Sequence, residues 1–204
     1  KAIFNFSNEK VIVTGAGRTD SGVHALAQVA HFDLKKKIKD KKLLPAINQN
    51  IGDKPVTVLK INKTNKKFHA RHNAKKRTYR YLIVNRQSPL ALQKNKAWHI
   101  RKKLNIKNMK KGAKFLLGTH NFSTFRAASC GAKSPIKTME KISIKKIKDT
   151  IFLEFTSRSF LQQQVRSMVG CLKYLGEGKW NLEEFIDSFK SKNRTSCAPP
   201  APAC

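Results

Sequence analysis

The segment Gly15-Ala16-Gly17-Arg18-Thr19-Asp20-Ser21-Gly22 sets one acid two residues from an arginine, in a loop whose glycines remove bulk. Acids are scarce elsewhere: the 204 residues carry 12 Asp+Glu against 43 Lys+Arg. An aspartate so placed has three chemical readings. It can be a nucleophile, a metal ligand, or an acid that hydrogen-bonds its own turn. A nucleophilic carboxylate must stay ionised while partly desolvated, and a neighbouring guanidinium favours the charged form. The glycines would let a large substrate approach the backbone closely.

Several phosphate-binding and hydrolytic motifs are excluded. G-x-G-x-x-G fails because Asp20 occupies the third glycine position. No G-x-x-x-x-G-K-[ST] loop occurs, and Ser21 lacks the G-x-S-x-G elbow. The next acid is Asp33, too remote in sequence to suggest a carboxylate pair. Cys130, Cys171, Cys197 and Cys204 form no C-x-x-C pair and read as reduced cytosolic thiols. His69 and His72 stand at i, i+3 with no acid or cysteine close in sequence, so no metal site is expected.

The elements that must position this loop are partly legible. Residues 10–14 (KVIVT) predict a strand ending at Gly15, and the small apolar run 23–32 favours a second. Residues 34–48 read as helical toward their end, with Pro45 as an interruption. Strands are expected over 56–61 and 77–85, the latter with Tyr79, Tyr81 and Ile83 on one face. Ile106, Met109, Ala113, Leu116 and Leu117 keep helical spacing up to Gly118. Residues 138–147 and 151–157 predict a hairpin turning at Lys148-Asp149-Thr150. A helix is expected over 162–175, and Asn181-Leu182-Glu183-Glu184 reads as a capping box opening another. The proline-rich stretch from Ala198 to Cys204 reads as irregular. The pattern predicts an α+β fold with an antiparallel sheet.

Net charge is +31 and the pI about 10.4, an excess that calls for a polyanionic partner. Nucleic acid is the first candidate, because each neutralised phosphate releases counterions. Lysine supplies 33 of the 43 cations and is spread along the chain, which a general lysine bias would also produce. A hydrophobic fraction of 40% suffices for a globular core. No apolar run approaches the roughly 20 residues that cross a bilayer, so no membrane association is expected. KAIFNFSNEK is neither a signal nor an obvious transit peptide, and the missing initiator Met suggests a fragment.

Four blocks carry a family resemblance. GAGRTDSGVHALAQVAHFD resembles the signature of the tRNA pseudouridine synthase A family. Phe68-His69-Ala70-Arg71 with Arg77-Thr78-Tyr79-Arg80-Tyr81 resembles its second block, Gly118 to Arg126 (GTHNFSTFR) its third, and Ser159 to Gly170 (SFLQQQVRSMVG) its fourth. They occur in the family's order over residues 11–197.

The resemblance implies the pseudouridine synthase fold, a mixed, mostly antiparallel central sheet flanked by helices. Residues 1–85 would form the half bearing the catalytic aspartate, and residues 86–204 a second half completing the cleft. It implies an isomerase that converts uridine to pseudouridine at positions 38–40 of the tRNA anticodon stem-loop, with no cofactor and no metal. Asp20 matches the nucleophile, attacking C1′ of the sugar or C6 of the base. Arg166 matches the arginine that pairs with it. Tyr79 matches the active-site tyrosine, able to stack on the flipped uracil and take the C5 proton. Arg18 resembles the arginine that helps extrude the base. His24, Arg71, His72, Arg77, Arg80 and Arg126 are further candidates for RNA contacts. The resemblance also implies a cytoplasmic homodimer with tRNA as its partner. Relative to the family both ends look trimmed. The competing expectation is a noncatalytic basic RNA-binding protein.

Overall fold

The computed structural model describes residues 1–204 apart from the side chain of Asp40. The chain divides into two compact units. One comprises Lys1–Arg18 and Ala25–Ala74, the other Thr19–His24 and Lys75–Cys204. The acid-bearing loop segment therefore belongs with the longer unit.

The first unit holds helix α1 (Ala2–Ser7), strand β1 (Thr14–Gly15), strand β2 (Ala30–His31) and helix α2 (Asp40–Ile51). β1 and β2 pair antiparallel over two residues each. The apolar runs at 10–14 and 23–32 predict longer strands than this. Pairing stops early, and Ile12, Val13, Leu26 and Val29 stand exposed. A strand exists only where a ladder partner exists, which β-propensity alone cannot report. α2 runs through Pro45 instead of breaking there. Proline removes one helical hydrogen bond, but Leu43 and Ile47 on either side of it are buried with Ile3. Residues 56–61 form no strand. The Asn48 side chain takes the ladder's place: its Oδ1 accepts from Val58 N–H at 2.8 Å and its Nδ2 donates to the Val58 carbonyl at 2.9 Å.

The second unit is built on a five-stranded sheet. Its strands are β3 (Arg77–Asn85), β4 (Trp98–Ile100), β5 (Gly118–Asn121), β6 (Ile136–Ile147) and β7 (Thr150–Ser157), in the order β4-β3-β7-β6-β5. Only the β3–β4 pair is parallel. The register sets Tyr79 opposite Phe155, Tyr81 opposite Leu153 and Ile83 opposite Ile151. Strand side chains alternate, so these residues share one face, and Tyr81, Ile83, Ile151, Leu153 and Phe155 are buried there. The other face carries the Thr78–Thr156 hydroxyl pair and the Arg80–Glu154 ion pair. Glu140 is an extra residue between Met139, opposite Ser157, and Lys141, opposite Thr156.

Helices α3 (Ile106–Phe115), α4 (Gln164–Glu177) and α5 (Leu182–Lys190) supply the rest of this core. Met109, Leu116, Met168, Val169, Leu172, Leu175 and Phe185 pack with the sheet's apolar face. The capping box is present: Asn181 Oδ1 accepts from Glu184 N–H, and the Glu184 carboxylate accepts from Asn181 N–H. The Ala198–Cys204 stretch has no regular structure, yet Ala198 and Ala201 are buried in the core. It lies directly on α4, and a Cβ at residue 170 would collide with the Pro199 carbonyl oxygen. No helix among the described residues is long and apolar enough to cross a membrane.

Gly170→Ala should therefore destabilise this unit by about 2 kcal/mol, the scale of overpacking against backbone. That outweighs the ~1 kcal/mol that alanine gains over glycine in a helix. Urea unfolding followed by the fluorescence of Trp98 and Trp180, both in this unit, reads the loss.

Candidate active site

Asp20 sits in a tight turn in which Val23 N–H donates to the Asp20 carbonyl at 3.1 Å. Gly22 closes the turn with φ of 84°, a region that favours glycine. It also abuts the final segment: a Cβ there would lie 3.2 Å from the Ala203 carbonyl oxygen. Both constraints disfavour a side chain at position 22.

Arg166 lies in the first turn of α4, among the buried Val165, Met168 and Val169. Its Nη1 donates to Asp20 Oδ2 at 2.7 Å, across 146 residues of chain. Its Nε donates to the Ala201 carbonyl at 2.7 Å. The two side chains keep 21% and 28% of their surface, Arg166 and Asp20 respectively. The acid is thus paired and partly dry while one side stays open to an incoming group, as a nucleophile requires.

Tyr79, on β3, is half-buried and meets the Phe160 ring edge-to-face at 5.0 Å. Burial pushes its phenol above the ordinary value; Arg77 opposes the rise and the Asp20 charge adds to it. Tyr79 is thereby within electrostatic reach of Asp20. The structure brings together Asp20, Arg166 and Tyr79, the three residues that the sequence marks as catalytic.

The remaining candidates divide by environment. Arg18 and Arg71 belong to the first unit and are exposed. His24 is exposed in the acid loop. Arg77 donates to the Arg158 carbonyl, beside Tyr79. Arg126 braces its own loop, donating to the carbonyls of Cys130 at 2.6 Å and Ala132 at 2.8 Å. Arg80 is paired with Glu154 on the sheet's other face. His72 N–H donates to His69 Nδ1 at 3.3 Å, and the two rings lie 4.2 Å apart. Burial and then the neighbouring His72 and His31 hold the His69 imidazole below its usual range.

Sequence reasoning missed the contribution of Ala201, Pro202 and Phe160. A proline-rich stretch carries no signal that its carbonyls hold a guanidinium, and Phe160 reads as one more apolar residue.

A family model described as tRNA pseudouridine synthase matches residues 113–204. A tRNA pseudouridine synthase A from Pelagibacter ubique is 60% identical over 199 residues, covering 97% of this chain and 81% of the relative. The protein of that name from Maricaulis maris is 45% identical over 193 residues, covering 95% and 78%. That from Xanthobacter autotrophicus is 44% identical over 203 residues, covering 100% and 83%. The chain belongs to the tRNA pseudouridine synthase A family.

Burial raises the pKa of Tyr79 and, chiefly by the same cause, that of Tyr81. The folded state then holds each proton more tightly than the unfolded chain. This contribution to stability is complete below about pH 10, the unfolded value. It is lost as pH rises through the folded values. In an alkaline titration both phenols should ionise above the ordinary range, and Tyr79→Phe or Tyr81→Phe should each remove one late step from the phenolate absorbance.

Proposed function

We propose that this chain isomerises uridine to pseudouridine in tRNA, at positions 38–40 of the anticodon stem-loop, with Asp20 as the nucleophile. The 2.7 Å pair between Asp20 and Arg166 is the single observation that carries the reading. The acid of the 15–22 loop, in a chain of net charge +31, is paired with a half-buried arginine from a distant helix. Tyr79 lies within electrostatic reach of Asp20.

The roles follow from the chemistry. The target uridine leaves its stack, at a cost of a few kcal/mol. Arg18, exposed in the glycine-flanked loop, is suited to fill the space left behind. Tyr79 offers its ring to the uracil, with the Phe160 edge behind it. The Asp20 carboxylate attacks C1′ or C6. The N1–C1′ bond breaks with its electron pair passing to the uracil, which turns. C5 then bonds to C1′, and the carboxylate is released. The C5 proton must depart and N1 must gain one. A neutral phenol is a weak base by itself, but Tyr79 can take the C5 proton as its own passes on to N1, which restores both the phenol and the Asp20 carboxylate. Arg166 donates to the carboxylate and aims it. His24, Arg71, Arg77 and Arg126 contribute contacts to the RNA, and the lysines add salt-dependent attraction. A second copy, in a cytoplasmic homodimer, completes the binding cleft.

Tritium at C5 of uridine in tRNA tests the reading. The chain should release the label to water, and Asp20→Ala should reduce release to background. Arg166→Ala should slow it tenfold to a hundredfold, about 1.4–3 kcal/mol, the cost of unpairing a partly buried charge. Full release by Asp20→Ala would overturn the assignment. Filter retention of tRNA by the wild-type chain without release would instead favour a noncatalytic RNA binder. Mapping pseudouridine in total RNA after deletion of the gene distinguishes positions 38–40 from other targets.

A further inference from the structure

The carbonyl that holds Arg166 belongs to a segment with few ways to be held itself. Pro199, Pro200 and Pro202 have no N–H, so residues 199–203 offer only the Ala201 and Ala203 donors. Ala201 uses both backbone groups on one residue. Its N–H donates to the Arg166 carbonyl at 2.9 Å, and its carbonyl accepts from Arg166 Nε at 2.7 Å. One hinge of this kind permits the strap to rock. Its tilt is set by what it rests on and by whatever anchors a neighbouring carbonyl.

Tyr81 supplies that anchor. Its ring is buried on the apolar face of β3, opposite Leu153. Its hydroxyl donates to the Pro202 carbonyl at 2.8 Å and accepts from Cys204 Sγ at 3.4 Å. Ala203 lies against Gly22 of the acid loop, and Pro199 against Gly170 of α4. The chain of contacts runs from the Tyr81 hydroxyl to Pro202, through the peptide to Ala201, to Arg166 Nε, and from Nη1 to Asp20. Two guanidinium nitrogens with different partners define a plane, so a shift of the strap rotates the fork that faces the carboxylate.

We propose that Tyr81 is a positioning residue for the isomerisation, acting through the Pro202–Ala201 strap to hold Arg166 in the orientation that aims Asp20. This rests on the reading of Asp20 as nucleophile, and it extends it to a residue that pattern alone assigns to the core. The hydrogen bonds of the Tyr81 hydroxyl go to Pro202 and Cys204 and not to the acid. Its hydroxyl is dispensable for packing, because phenylalanine fills the same volume.

The test uses the full chain with Tyr81→Phe, and with Pro202→Gly as a second variant at an exposed position that loosens the strap while leaving the core intact. Two readouts are taken. The first is tritium release per tRNA-binding site, separated into kcat and KM. The second is hydrogen exchange of the Arg166 Nε–H by NMR. Tyr81→Phe should lower kcat about tenfold, the scale of losing one intramolecular hydrogen bond, and Pro202→Gly should lower it in the same direction. They should leave KM unchanged and speed Nε–H exchange by a similar factor. Ile83→Val, a core change on the same strand, should lower stability and move neither readout. Unchanged exchange and unchanged kcat in both variants would overturn the proposal and leave the synthase reading standing. Faster exchange with no label release by the wild-type chain would uphold the positioning contact and sink the synthase reading instead. An equal loss in Ile83→Val would reduce Tyr81 to a structural role.

Discussion

One ion pair organises the second unit. Asp20 and Arg166 come from a loop near the start of the chain and a helix near its end. An ionised carboxylate and a guanidinium are costly to dry separately. Together they cost less, provided that their remaining hydrogen-bonding capacity is met. Arg166 meets part of its capacity at the Ala201 carbonyl. The acid loop, α4 and the Ala198–Cys204 stretch are therefore constrained jointly, and the geometry of each depends on the other two.

The close approaches around that pair explain why particular small residues occur where they do. Gly22 has a backbone conformation that favours glycine and lies against Ala203. Gly170 lets Pro199 reach the surface of α4. The three prolines reduce the freedom that the stretch would lose on ordering, and they leave it dependent on side-chain donors. Arg166 and Tyr81 are those donors. The sheet completes the arrangement by register: β3 carries Tyr79 toward the pair and Tyr81 toward the strap, two residues apart on one face.

Legibility followed the range of the forces involved. β3 was readable because its two faces differ, and the expected span of 77–85 is the observed one. The capping box at 181–184 was readable because it is local chemistry, made by residues three apart. The 10–14 and 56–61 runs looked equally strand-like, yet only Thr14 of the eleven residues pairs. Their β-branched content was real, but a ladder needs a partner. β4 escaped notice because three residues are too few to show a period, and its pairing with β3 is parallel and non-local. Asp20, Tyr79 and Arg166 were legible as members of recognisable blocks, whereas Ala201 and Tyr81 had no such marker.

By itself the sequence determined the residue types available for chemistry, the alternation of β3, the hairpin of β6 and β7, and the amphipathic faces of the helices. These depend on interactions a few residues apart. Only the tertiary structure decided that Asp20 leaves its flanking strands to join the unit containing Arg166. It alone decided that Tyr81 holds Pro202. Contacts across more than a hundred residues depend on how several elements pack at once, and no local pattern encodes that sum.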